Sequence, residues 1–83
     1  MPYIKPEQRP DMDEIVELMK VMGVKGDGDL NYILYAFCVR NIKPRYGNYK
    51  NYCGELRQCA TEIERRLLGP YEDEAVSRNG DIR

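Results

Sequence analysis

The middle of the chain carries positive charges interleaved with tyrosines. Between Asp29 and Glu55 every charged residue is a cation. Cations pair with phosphates and tyrosine rings stack on unpaired bases, so the pattern suits single-stranded nucleic acid. Four cations neutralise only a few phosphates, and lysine and arginine are also favoured where a helix ends. Nucleic acid is therefore an alternative partner, not the favoured one, and its candidate binding residues are Arg40, Lys43, Arg45, Tyr46 and Lys50.

The acidic residues of the C-terminal half are a second candidate for chemistry. Glu55 and Glu62 are seven residues apart and share a helix face, and three further acids occupy positions 72–74. Helical nucleotide pyrophosphohydrolases hold magnesium with carboxylates from adjacent helices, because this cation takes several oxygen ligands. Arg65 and Arg66 lie among the acids, which favours an ion-paired surface. A magnesium-dependent hydrolase of this kind remains an alternative, but the sequence favours a non-catalytic protein with no metal-binding residue.

Other chemistries lack their side chains. The chain has no histidine and three cysteines, Cys38, Cys53 and Cys59. A cysteine nucleophile needs a base or a strongly positive site, and a zinc site needs closely spaced Cys or His ligands. The acidic segment 25–29 is too short for an EF-hand loop, because a helix is predicted to start where that loop would continue. We therefore predict no catalytic residue, no metal and no cofactor.

The size of the chain predicts a need for extra stabilisation. With 83 residues it makes at most one domain, and domains of this size bury only about 60% of their unfolded surface. Disulfides, metals or partner chains commonly compensate. An odd number of cysteines and missing metal ligands leave self-association. The unpaired thiols and the lack of an export signal predict the cytoplasm, and the longest apolar run, residues 32–39, is too short for a membrane span.

Apolar spacing predicts an all-α fold: a small helical bundle of three main helices plus a short C-terminal helix, completed by oligomerisation. An extended N-terminal arm, residues 1–9, precedes a single helical domain, residues 10–83. Helix one begins near Pro10, with a capping box from Asp11 to Glu14, and ends at Gly23. Its apolar residues repeat with helical spacing at Met12, Ile15, Val16, Met19 and Met22.

Helix two is predicted over about 30–42, ending before Pro44. It is apolar almost all round, so we expect it to be covered on more than one side. Helix three is predicted over about 49–68, with Asn48 as its cap, and a break at Gly69 and Pro70 should precede the fourth helix, which closes at residues 79–80.

The longest predicted helix carries a regular apolar seam. Its apolar residues recur in steps of four and three, the repeat by which helices pair in coiled coils. A second copy of the chain is therefore the predicted partner, and the predicted oligomer interface is Tyr49, Cys53, Leu56, Ala60, Ile63 and Leu67.

Three segments carry a resemblance to a known family. They are the opening residues 1–4 (MPYI), the central residues 28–32 (GDLNY), and the end, where Arg65 and Arg66 are followed by residues 70–73 (PYED) and 79–81 (NGD). On these segments the chain resembles a family of short, uncharacterised proteins of bacteriophage and prokaryotic genomes. The resemblance spans most of the chain and implies a phage or mobile-element connection. The family has no assigned activity, so the resemblance implies no functional residues. We expect a homo-oligomeric interaction or accessory protein.

Overall fold

A computed structural model describes residues 4–80 of the chain. This part is helical and contains no strand, which confirms the predicted all-α class with three main helices and a shorter C-terminal one. The predictions for residues 1–3 of the arm and for Asp81 of the C-terminal motif lie outside the described residues. The helices are α1 (Arg9–Val21), α2 (Gly28–Asn41), α3 (Tyr46–Ile63) and α4 (Gly69–Asn79), with a 3₁₀ turn at Pro6–Gln8 and a π-helical turn at Glu64–Leu68.

Contacts within the chain group its residues into two units that divide between Tyr49 and Lys50. The first unit holds α1, α2 and the start of α3, and the second holds the rest of α3, the π-helical turn and α4. Each unit is described by itself below. The sequence predicted a single helical domain over residues 10–83, following the arm.

The start of α1 differs from the predicted capping box. The 3₁₀ turn at Pro6–Gln8 runs directly into α1 at Arg9, two residues before Asp11. The capping box at Asp11 and Glu14 was therefore wrong, and Asp11 lies in the first turn, where its charge suits the helix dipole. The Gln8 side chain accepts a hydrogen bond of 3.1 Å from the Lys5 backbone N–H. This local bond holds the described end of the predicted arm.

The end of α1 confirms the predicted left-handed glycine. Gly23 has φ 73°, a conformation that glycine adopts without strain from a Cβ atom. Its N–H donates to the Lys20 carbonyl over 3.0 Å, and the Val24 N–H donates to the Met19 carbonyl over 2.9 Å. These two bonds form a Schellman motif, which satisfies carbonyls left unpaired at the helix end.

Two aspartates build the turn that starts α2. The Asp27 carboxylate accepts a 3.1 Å hydrogen bond from the Asp29 N–H, capping the helix. The Asp29 carboxylate in turn accepts a 3.2 Å bond from the Lys25 N–H. Both carboxylates are therefore used to hold backbone groups of the turn. The helix ends at Asn41, and Ile42 is already extended ahead of Pro44, as the proline predicted.

The predicted α-helix over residues 49–68 was wrong at both ends. It begins earlier, at Tyr46, and the Asn48 side chain does not cap it but donates 3.2 Å to the Lys43 carbonyl. At the other end, α3 stops at Ile63 and a π-helical turn follows.

The π-helical turn explains how the chain passes Gly69 and Pro70 without the predicted break. The Gly69 N–H donates to the carbonyl of Glu64, five residues earlier, and α4 begins at once. Pro70 has no N–H, and its ring would crowd the carbonyl four residues earlier in an ordinary α-helix. A wider turn ahead of it removes that conflict. Gly69 itself is tightly placed, because a Cβ atom there would lie 3.2 Å from the Glu64 carbonyl oxygen.

Apolar side chains of the described residues remain in contact with solvent. No residue of this part of the chain is fully buried, and the predicted stripe of α1 is exposed except at Met19. On α2 one side is half-buried, at Leu30, Leu34 and Cys38, whereas Tyr32, Tyr35 and Val39 are exposed. The expectation that α2 is covered on more than one side was wrong for the chain alone, because no described element covers its tyrosine side.

Candidate functional site

The predicted cation Arg40 lies in the last turn of α2, on its exposed side. Its Nη2 atom donates a long hydrogen bond of 3.4 Å to the Tyr32 hydroxyl. Together with Tyr35, Ala36 and Val39, these two residues line an open groove of about 180 Å³. Tyr32 and Tyr35 are 64% and 70% exposed, so most of each ring is available for contact.

Sequence reasoning missed this tyrosine surface. Tyr32 and Tyr35 were assigned to a covered side of helix two because the helix is apolar almost all round. The signal that identifies the surface is the spacing of Tyr32, Tyr35, Val39 and Arg40, which lie three, seven and eight residues along one helix face.

Three further predicted residues lie in and just after the short connection between α2 and α3. Lys43 and Arg45 are exposed, and the Arg45 N–H donates to the Lys43 carbonyl over 2.8 Å. The Arg45 carbonyl accepts a 3.0 Å bond from the Tyr49 N–H, which starts α3. Tyr46 is 80% exposed. Backbone bonds therefore hold this connection in place, and the charged ends of Lys43 and Arg45 extend from it.

Lys50, the last predicted nucleic-acid-binding residue, belongs to the second unit and is exposed. Its charge adds to the positive character of α3's first turns, since α3 has no acid before Glu55. The predicted cluster is therefore distributed over both units, and four of its five residues lie in the first.

The predicted oligomer seam is exposed along its length. Cys53, Leu56, Ala60 and Ile63 lie in the part of α3 that belongs to the second unit, and all four are exposed, Ile63 by 50%. Tyr49, at the start of α3, belongs to the first unit and is also exposed. Leu67 lies in the π-helical turn, where the wider turn displaces it from the straight line of the other seam residues.

The acidic cluster is dominated by ion pairs at Glu62. The Glu62 carboxylate accepts 3.0 and 3.2 Å bonds from Arg65 Nη2, and its Oε2 lies 2.7 Å from Arg66 Nε. The predicted pair between Glu62 and Arg66 is confirmed. Its side chain is only 15% exposed, so both oxygens face guanidinium groups rather than open solvent. Within residues 4–80 no three metal-binding side chains are grouped. The geometry here is that of a carboxylate held by two arginines.

The three cysteines are free thiols in the structure. Cys53 and Cys59 are exposed, and Cys38 is half-buried. Cys53 and Cys59 are separated by six residues of one helix, about 9 Å along its axis. That separation exceeds the reach of a disulfide, so these two thiols cannot bridge each other within α3.

The comparison with protein-family models decides the relationship of the chain. A family described as a domain of unknown function (DUF6899) matches residues 1–82. The chain belongs to this family. No curated protein and no solved structure matches the chain. Membership agrees with the resemblance to an uncharacterised family, and it assigns no activity to any residue.

Length and apolar character also limit what the helices of residues 4–80 do. None of them combines the length and the hydropathy that crossing a membrane requires.

Proposed function

We propose that this family member works as a homo-oligomeric interaction module without catalytic activity of its own. The observation that carries the proposal is the exposure of its apolar side chains: the stripe of α1, the tyrosine side of α2 and the seam of α3 are all open to solvent. Apolar surface gains about 25 cal/mol for each Å² removed from water. Such surfaces in a soluble chain mark sites of protein interaction.

The α3 seam is the proposed contact between copies. Its four-three spacing is continuous from Cys53 to Ile63, and its side chains stand on an uninterrupted α-helix. The same face of two copies would interdigitate as knobs into holes around a two-fold axis. The seam contains no charged residue, which removes the cost of burying an unpaired charge.

A substitution in the seam tests the proposal. Leu56→Asp places a charge in the proposed contact, so the oligomer should dissociate because a buried unpaired carboxylate is costly. The matched control is Gln58→Asp, which adds the same charge on the outer side of the same helix. Light scattering coupled to size exclusion, at micromolar concentration, measures the mass. A wild-type chain that is a stable monomer of 9.7 kDa would refute the proposal, as would equal effects of the two substitutions.

The cellular setting is part of the same proposal. Three unpaired thiols, two of them exposed, suit a reducing compartment, so we place the protein in the cytoplasm. The resemblance of its opening, central and closing segments to short phage and prokaryotic proteins supports a phage or mobile-element context. Identification of the proteins encoded beside members of the family tests that context, because an interaction module should accompany the genes of its partners.

Single-stranded nucleic acid is a second candidate partner. It is favoured by the exposure of Arg40, Lys43 and Arg45 in a segment without acids. Phosphate contacts release counterions, so affinity for a single-stranded oligonucleotide should fall steeply with salt. The double substitution Arg45→Glu, Lys50→Glu should remove binding while helical content is kept. No detectable binding at low ionic strength would dismiss this candidate.

A further inference from the structure

One face of α1 combines exposed apolar side chains with acids. Ile15, Leu18 and Val21 follow helical spacing and are 54%, 59% and 72% exposed. Asp11 and Glu14 lie on the same face, one and two turns before Leu18, and both are exposed. The cations of this helix, at positions 9 and 20, lie on its opposite side. The face is therefore acidic near the helix N-terminus and apolar towards its C-terminus.

The groove side of α2 has the complementary arrangement. Its apolar part, Tyr32, Tyr35 and Val39, comes first, and Arg40 follows in the last turn. Lys43 follows directly after the helix and is exposed. This face is therefore apolar near the N-terminus of the helix and basic at its C-terminus.

The two faces match when the helices run antiparallel. From Asp11 to Val21 α1 extends about 15 Å, and from Tyr32 to Arg40 α2 extends about 12 Å, at a rise of 1.5 Å per residue. An antiparallel pairing sets Asp11 and Glu14 against the basic end of α2 and Leu18 against its tyrosines. A parallel pairing would set the acids against the tyrosines and leave the cations over apolar side chains. Charge thus selects one orientation.

We propose that α1 of one copy docks on the tyrosine groove of α2 of a second copy, and that the second copy returns the same contact. The inference rests on the proposed self-association and names an additional contact for it. Both faces are exposed in the chain alone, so neither covers the other within one copy. Among residues 4–80, none of Asp11, Glu14, Arg40 and Lys43 lies within ion-pair distance of an opposite charge. The second copy supplies those opposite charges and covers the apolar surface together.

Charge reversal on the two faces tests this contact. One variant, Asp11→Lys with Glu14→Lys, reverses the acidic face. The other, Arg40→Glu with Lys43→Glu, reverses the basic face. Each variant alone brings like charges together in both reciprocal contacts, so its dissociation constant should rise about tenfold or more. In an equimolar mixture, each reversed face meets its reversed partner and the two unaltered faces meet each other, so wild-type mass should return. Light scattering measures each sample.

The matched control is Asp13→Lys with Glu17→Lys, which reverses two acids of α1 away from the proposed face. It should keep the wild-type mass, and a loss equal to that of the first variant would overturn the proposal. Return of mass on mixing also shows that both variants fold.

Three other outcomes overturn the contact for separate reasons. If both variants keep wild-type mass, self-association stands but does not use these faces. If mixing fails while a chain with all four reversals assembles alone, the two faces meet within one copy. If the basic-face variant keeps its mass but loses binding to a single-stranded oligonucleotide, the groove serves nucleic acid. A monomeric wild-type chain would instead refute the proposed function itself.

Discussion

Truncation of Ile63 gives a quantitative test of the α3 seam. The side chain is 50% exposed in the single chain. Full burial of an isoleucine gains about 1.5–3 kcal/mol, so covering the exposed half gains about 0.7–1.5 kcal/mol in each copy. A two-fold contact counts the residue twice, which gives about 1.5–3 kcal/mol for a dimer. Ile63→Ala should therefore raise the dissociation constant about tenfold to a hundredfold, since about 1.4 kcal/mol corresponds to a factor of ten.

Sedimentation equilibrium over a range of concentrations measures that constant directly. Alanine is a better helix former than isoleucine, so weaker association would not come from a weakened helix. Gln58→Ala, on the outer side of α3, should leave the constant unchanged and serves as the control. If Ile63→Ala and Gln58→Ala give the same constant as the wild-type chain, Ile63 does not contact a second copy and the seam reasoning fails.

Three further predictions concern local interactions. Asp27→Ala should lower the free energy of unfolding by about 1 kcal/mol in a urea titration, because the cap of α2 is lost; unchanged stability would contradict that role. Glu62→Gln should lower the melting temperature equally with and without millimolar magnesium, because two ion pairs of about 0.2–0.5 kcal/mol each are lost; a magnesium-induced rise that only the wild-type chain shows would instead support a metal site. Alkylation of Cys53 should slow as protein concentration rises, whereas Cys59, at the edge of the seam, should change less; equal rates, measured by mass spectrometry, would argue against burial of Cys53 between copies.

The helices of this chain were largely predictable because their end signals are local. Gly23 permits the left-handed end of α1, and Pro44 excludes α-helix just before it, so both ends are encoded in single residues. The start of α1 was misplaced because the Asp11 and Glu14 spacing imitates a capping box. The chain instead enters the helix through a 3₁₀ turn that carries no such pattern.

What the sequence did not predict depends on contacts between elements. An apolar helix face looks the same in a sequence whether the chain or a partner covers it, and for this reason Tyr32 and Tyr35 were assigned to the wrong environment. The π-helical turn was missed for a different reason. Gly69 and Pro70 predict an interruption, but the sequence alone does not reveal that a wider hydrogen-bonded turn absorbs it.

The π-helical turn also sets the angular phase of everything that follows it in the second unit. A turn closed by bonds over five residues holds one residue more than an α-helical turn, so it accommodates one residue that a regular helix would not. Deleting one residue from 64–68 would let α3 and α4 fuse as a regular helix and turn the following side chains by about 100° around the axis. The acids at positions 72–74 would then point in another direction without any change in their own sequence. Length in this short segment is thus under tighter constraint than residue identity.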